Sequence, residues 1–182
     1  MKKLYLHLTT GTLDYLTSLH EKYDQTSISS RGTDAILYYE DNNEDSVFST
    51  KMTYEIFENM GGLDADGPMT MYYIPSAGDG FHSLRAHVLD LAKALADING
   101  VLAYRVGVNE KKETYMILIK WADLSIYDDF KYTDIHEQYL TTEALKKFRT
   151  EESLFGDFLS SKTYYTINEN VFSDEEKEEL SD

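Results

Sequence analysis

Cysteine is absent from this 182-residue chain, so disulfide bridges, thiolate metal sites and cysteine nucleophiles are excluded. Proline is scarce: Pro68 and Pro75 are the only two, and each marks a break in the chain. No stretch approaches the roughly 18 apolar residues of a membrane-spanning helix. The basic opening Met1-Lys2-Lys3-Leu4-Tyr5 lacks the apolar run of a signal peptide, because His7, Thr9, Thr10 and Asp14 interrupt it. The expectation is a cytoplasmic protein. Positive charge is also scarce, with 17 Lys and Arg against 33 Asp and Glu and a net charge of -16. A phosphate backbone would be repelled, so nucleic acid is not an expected partner. No Ser/His/Asp spacing, phosphate loop or HExxH motif is present. The GDG at 78–80 is too short to cradle a phosphate and reads as a helix lead-in.

What is present is a globular composition, 42% hydrophobic and 13% aromatic. Fifteen tyrosines supply large amphipathic side chains suited to a half-polar cavity or an interface. Part of the acidity is local. Residues 173–182, SDEEKEELSD, carry six acids and one lysine, so they hold -5 of the net charge and the body holds -11. This segment reads as a solvated, disordered acidic tail.

The first 66 residues read as a small N-terminal α+β, β-rich domain. Leu13, Tyr15 and Leu19 repeat an apolar pattern, and 24–34 reads as a loop. The runs AILYYED (35–41) and SVFST (46–50) flank a polar turn and predict a hairpin. Thr53 is placed as the N-cap of a short helix through Tyr54, Ile56, Phe57 and Met60, stopped by Gly61 and Gly62. The breaker LDADGP (63–68) marks a boundary.

Residues 67–172 are better patterned. MTMYYI (69–74) predicts a strand. Leu84, Val88, Leu91, Leu95 and Ile98 form one helical face, with Asp79 or Gly80 as cap and Asn99-Gly100 as stop. VLAYRVGV (101–108) and TYMILIKW (114–121) predict strands, the second apolar on both sides and therefore central. Asp123 caps a helix with Ile126, Tyr127 and Phe130. Thr133 starts another with Ile135 and Tyr139, and a third piece covers 142–149. TYYTINENVF (163–172) predicts the last strand. The order β, α, β, β, α, β is the ferredoxin-like split βαβ. With helices on one face, Tyr115, Ile117 and Ile119 are expected to point away from them and leave a bare apolar sheet. A homodimer through that face would cover it.

The strand TYMILIKW, the cap Asp123, "YDDF" and "KYTDIHEQY" give this half a resemblance to the antibiotic-biosynthesis monooxygenase (ABM) superfamily. That family implies a dimeric α+β barrel. Over nearly the whole chain, "MKKLY", "ILYYED", "YEIFENMG", "YYIPS" and "WADLSIYDDFKYTDIHEQYLTTEAL" resemble the two-domain family of the signal-transduction protein TRAP, target of RNAIII-activating protein. The same resemblance extends to related haem-degrading monooxygenases.

In the haem-degrading branch the resemblance implies three residues: an asparagine on the first barrel strand, a tryptophan on the helix after the third strand, and a histidine ligand to iron. Matched position by position, Ile74, Pro75 and Ser76 stand where the asparagine belongs, Phe130 where the tryptophan belongs, and Leu140 where the histidine belongs. All three depart from the pattern, and a shift of one turn, four residues, would bring His136 to the ligand position. The candidate pocket is therefore Ile74, Trp121, Phe130, His136 and Leu140, with Trp121 and Phe130 able to stack on a planar aromatic ligand. The same residues also read as ordinary core, and His136 as a polar residue on a short surface helix beside Glu137 and Gln138. Histidine phosphorylation makes His7, His20, His82, His87 and His136 equal candidates. Tyr72, Tyr73, Tyr104 and Tyr127 offer hydroxyls for cofactor-free phenol oxidation. The expectation is a dimeric, TRAP-like regulatory or stress-related protein without a resident cofactor. The alternative is a monooxygenase, haem-binding or cofactor-free, acting on a planar aromatic.

Overall fold

The computed structural model describes residues 2–50, 52–76, 78–148 and 159–167. Its elements are β1 (Leu4–Thr12), α1 (Leu13–Lys22), β2 (Ser27–Arg31), β3 (Asp34–Asp41), β4 (Met52–Met60), β5 (Met69–Pro75), α2 (Asp79–Ala96), β6 (Val101–Asn109), β7 (Thr114–Trp121), α3 (Leu124–Phe130), α4 (Asp134–Tyr139), α5 (Thr142–Leu145) with a 3-10 turn at Lys146–Phe148, and β8 (Ser160–Tyr164).

All eight strands belong to one sheet in the order β2-β3-β1-β4-β6-β7-β5-β8. The first four strands lie in the order second, third, first, fourth, and so do the last four. The chain thus repeats the ferredoxin-like arrangement twice. The repeats join where β4 pairs antiparallel with β6. The far ends meet in one antiparallel bridge, with Ser30 and Tyr165 exchanging N–H to carbonyl bonds of 2.8 and 2.7 Å. The sheet therefore closes into a barrel within one chain.

This closure corrects the expected bare sheet face. The parity of β7 is the reverse of the expectation: Tyr115, Ile117, Ile119 and Trp121 face α2. Met116 and Leu118 point into the barrel, where they meet Leu6, Leu8, Ile36, Tyr38, Tyr54, Met69 and Met71. The N-terminal half covers the face that a second copy was expected to cover. Both faces of β7 are buried without a partner chain, so a homodimer through this sheet has no exposed surface to use. Each such aliphatic or aromatic side chain withdrawn from water contributes roughly 1.5–3 kcal/mol.

The helices form where sequence supplies caps. Thr12, Asp123, Thr133 and Thr141 each accept a hydrogen bond from a backbone N–H in the first turn of α1, α3, α4 and α5. The long α2 has Gly78 as N-cap, at φ +65°, rather than Asp79 or Gly80. Leu84, Val88, Leu91 and Leu95 of its expected stripe are buried, together with Phe81, while Ile98 lies past the end of α2 and is partly buried.

The N-terminal half departs most from expectation. Residues 52–60 form β4, not a helix capped by Thr53. The positions Tyr54 and Ile56 read equally as alternate residues of a strand, and pairing with β1 and β6 decides. SVFST is not a strand; β3 pairs instead with β1 and β2. Within the expected 24–34 loop, Ser27–Arg31 is β2. In the C-terminal half the last strand is Ser160–Tyr164, earlier than expected. Residues 168–172 of that expected strand, Arg149 of the third helical piece, and the acidic tail lie outside the described residues.

Candidate functional site

The candidate residues gather on the outer side of the barrel, between β5, β7 and the α2–α5 layer. Trp121 ends β7 and is fully buried. Its indole Nε1 donates to Thr70 Oγ1 of β5 at 3.0 Å. Asp123 accepts hydrogen bonds from the Ile126 N–H and the Ser125 hydroxyl, which sets the start of α3. That start turns Tyr127 and Phe130 onto the indole, with ring centroids 5.4 and 5.1 Å away. Ile74 and Leu140 are buried in the same cluster, at 2% and 1% exposure.

The structure therefore brings Ile74, Trp121, Phe130 and Leu140 into one packed core, with His136 at its rim. His136 is half-buried, and its ring meets the edge of Phe130 at 5.5 Å. Burial lowers its pKa below the ordinary imidazole value, helped by Lys131 nearby. A second imidazole, His87 of α2, bonds the Tyr139 carbonyl at 3.0 Å and lies between the rings of Tyr139 and Phe148. Burial is the main cause of its lowered pKa, reinforced by Lys147 and opposed by the Tyr139 carbonyl and Asp90. His87 fastens α4 to α2.

Among the described residues Tyr72 Oη is buried without a hydrogen bond of good geometry, with Tyr127 and Thr70 as its polar neighbours. Burial first, then the neighbouring Tyr127, pushes its phenol far above the ordinary range. Tyr73 points the other way, into the barrel, where its hydroxyl is also buried and unbonded. Tyr104 belongs to the outer core, and burial raises its pKa.

Three buried polar groups were not singled out by motif reading. Arg105 of β6 reaches through the barrel to Glu40 of β3, with Nε and Nη2 on the two carboxylate oxygens at 2.8 and 2.9 Å. Lys120 of β7 turns inward, and its Nζ donates to the carbonyls of Leu63 and Ala65 at 2.5 and 3.0 Å. His7 of β1 is fully buried. Its Nδ1 is 2.8 Å from Thr53 Oγ1, and its Nε2 is 3.0 Å from Asp41 and 2.9 Å from the Asn43 carbonyl. Both Nε2 neighbours accept, so Nε2 carries the proton and Nδ1 accepts from Thr53 in the neutral ring. The available signal was simple: a charged or imidazole residue inside an otherwise apolar strand must find a partner.

Solved structures that share this fold include a ferredoxin-fold protein described as related to antibiotic biosynthesis monooxygenases. That protein, from Listeria monocytogenes, matches at TM-score 0.74 and 18% identity, over 91% of this chain and 95% of that one. A haem-degrading enzyme from the same species has TM-score 0.68 and 15% identity, over 89% and 99%. A structure described as a major regulator of staphylococcal pathogenesis reaches TM-score 0.76 at 22% identity, over 91% and 99%. No family model matches the chain. By sequence the chain is homologous to the signal transduction protein TRAP of Staphylococcus aureus, strain MRSA252. The two are 26% identical over 149 residues, 81% of this chain and 88% of that protein.

The residues do not fit haem in the arrangement that the resemblance implies. At the asparagine position Ile74 and Pro75 offer no side-chain donor and the Ser76 hydroxyl is committed to the Phe148 carbonyl; Leu140, at the histidine position, offers none, and Ile74, Phe130 and Leu140 are buried in one apolar cluster. Among the described residues no group of three or more His, Cys, Asp or Glu is placed to hold a metal ion. No helix among them is long and apolar enough to cross a membrane.

Proposed function

We propose that this chain is a regulatory signal-transduction protein of the TRAP type, which uses the barrel as a binding scaffold rather than as a haem-degrading site. The observation that supports this most is homology to TRAP over four-fifths of the chain, together with a matching fold. Donor chemistry supports the same reading: of the positions matched to haem contacts, Ile74, Pro75, Phe130 and Leu140 are apolar, and the Ser76 hydroxyl is bonded to the Phe148 carbonyl. In this reading Trp121 and Phe130 are structural. His136 keeps α4 against Phe130. Residues 1–66 and 67–172 are the two repeats of one barrel. The protein acts in the cytoplasm, and any self-association uses outer surfaces, because the inner sheet face is filled.

A haem titration tests the proposal. The expected result is no stoichiometric Soret band, with the same spectrum for His136→Ala. A one-to-one band lost on that substitution would establish the haem-binding alternative instead. The cofactor-free alternative draws on a different observation, the buried Tyr72 hydroxyl beside Tyr127 and Thr70. A phenolic substrate there must first separate Trp121 from Phe130, whose rings are 5.1 Å apart. Turnover of an anthrone-type phenol with oxygen, lost on Tyr72→Phe, is the result that would favour it.

A further inference from the structure

Among the described residues the barrel closes through one bridge, Ser30 to Tyr165. Beside that bridge β2 and the end of β8 diverge, and the seam opens into a cleft of about 220 Å³. Its floor is formed by two inward-facing residues, Tyr38 and Lys120, at 1% and 4% exposure. Ser27 and Ser29 line one wall, and the loop Leu63–Asp66 lines the other.

Lys120 is the unusual feature. An ammonium group has three N–H donors. Two are bonded to the Leu63 and Ala65 carbonyls, and the group lies 5.5 Å over the Tyr38 ring. Among the described residues no carboxylate lies within ion-pairing distance of it. A buried charge without a counter-ion is costly, and an anion supplied from outside would offset that cost. Ser27 and Ser29 add hydroxyl donors nearby. At the mouth the sign reverses: Asp64 and Asp66 are exposed there and have no cationic partner among the described residues. The lining is mostly polar, with Leu63, Ile167 and the edge of the Tyr38 ring as a smaller apolar side.

From this distribution we infer a site for a small α-amino acid with an apolar side chain. Its carboxylate sits inward on Lys120 and the serine hydroxyls, its ammonium outward between Asp64 and Asp66, and its side chain against Tyr38 and Ile167. A simple anion would meet the rim carboxylates, and a simple amine would meet Lys120; a zwitterion satisfies both ends. The inference goes beyond the regulatory reading and does not depend on it, since it rests only on the seam and Lys120.

The test is an amide NMR titration of the full chain with L-leucine, 4-methylpentanoate (no ammonium) and 3-methylbutylamine (no carboxylate). The expected result is saturable shifts at Ser27, Ser29 and Thr166 with leucine. Binding of 4-methylpentanoate should be about tenfold weaker, and no saturable response should appear with the amine. Lys120→Met should abolish leucine binding. Because that change also removes the bonds to the Leu63 and Ala65 carbonyls, the exposed pair Asp64→Asn and Asp66→Asn provides a second variant. It should remove the advantage of leucine over 4-methylpentanoate. No saturable response to leucine overturns the site, as does equal binding by the amine. Equal binding of leucine and 4-methylpentanoate by the unaltered protein overturns the zwitterion.

Discussion

The two repeats share a strand order but not an outer layer. The C-terminal repeat carries α2–α5 on its outer face, where twenty-one of the described residues form a buried core. The N-terminal repeat carries only α1 and the 42–50 segment, and buries five: Leu16, Ala35, Leu37, Tyr39 and Phe48. Its second helix is replaced by a loop whose Phe48 packs edge-on against Tyr39 at 5.4 Å. Polar bonds make up part of the difference, for His7 ties Asn43 of that loop to β1 and β4. Both layers join the halves: the barrel interior draws on both repeats, and the C-terminal outer core takes in Phe57 and Met60 of β4, whereas the N-terminal outer core, among the described residues, draws on its own repeat alone.

The largest expected effect contrasts the two outer cores. Trp121→Ala should cost about 3–5 kcal/mol, because the indole is fully buried among large neighbours that cannot collapse into its space. Leu16→Ala in the N-terminal outer core should cost less, about 2–3 kcal/mol, because a small core with a loop on one side relaxes more readily. Urea unfolding of both variants checks the ranking, and a reversed order would break the comparison.

Next in size is the tie between repeats. Arg105→Met leaves Glu40 without its bidentate partner and should cost about 3 kcal/mol, the lower end for such pairs because Glu40 is partly exposed. Adding Glu40→Leu should recover most of that loss. A double-mutant cycle by chemical denaturation measures the coupling, and additivity of the two changes would show that the pair does not join the halves.

The smallest effect concerns pH and belongs to the C-terminal layer alone. His87 and His136 both have lowered pKa values, from the ordinary 6.5, chiefly through burial. Between the folded value and 6.5 the unfolded chain binds more protons. Stability is therefore full above 6.5, falls as pH drops through that window, and levels off once the folded imidazoles are also protonated. Denaturation midpoints measured from pH 7.5 down to 5 should show this decline. His87→Gln keeps a donor for the Tyr139 carbonyl and, with His136→Gln, should flatten it.

Local signals in the sequence were strongest where one side of an element is apolar and capped. The α2 stripe, the caps Asp123 and Thr133 and the strands β5, β6 and β7 could all be read from pattern. The N-terminal half was harder for a physical reason. Tyr54, Ile56 and Phe57 satisfy a helical and a strand reading alike, and only pairing with β1 and β6 selects the strand. The parity of β7 was also ambiguous, because Tyr115-Ile117-Ile119 and Met116-Leu118 are equally apolar. Lys120 held the information: its charge shares a face with Met116 and Leu118, and it reaches carbonyls of the 61–68 loop only from inside the barrel. In the candidate site, the gathering of Trp121, Phe130, Leu140 and Ile74 was readable from resemblance. Their close packing was not, since it depends on how α3 lies against β7.

The central claim is that one chain fills its own barrel. An isotope-filtered NOE experiment on a mixture of labelled and unlabelled protein tests it most directly, using the interior methyls of Leu6, Leu8 and Ile36 against those of Met69, Met71, Met116 and Leu118. The account predicts cross-peaks within single chains and none between labelled and unlabelled chains. Contacts between these methyls seen only across chains would show that the second copy, not the N-terminal repeat, covers the sheet, and would contradict it.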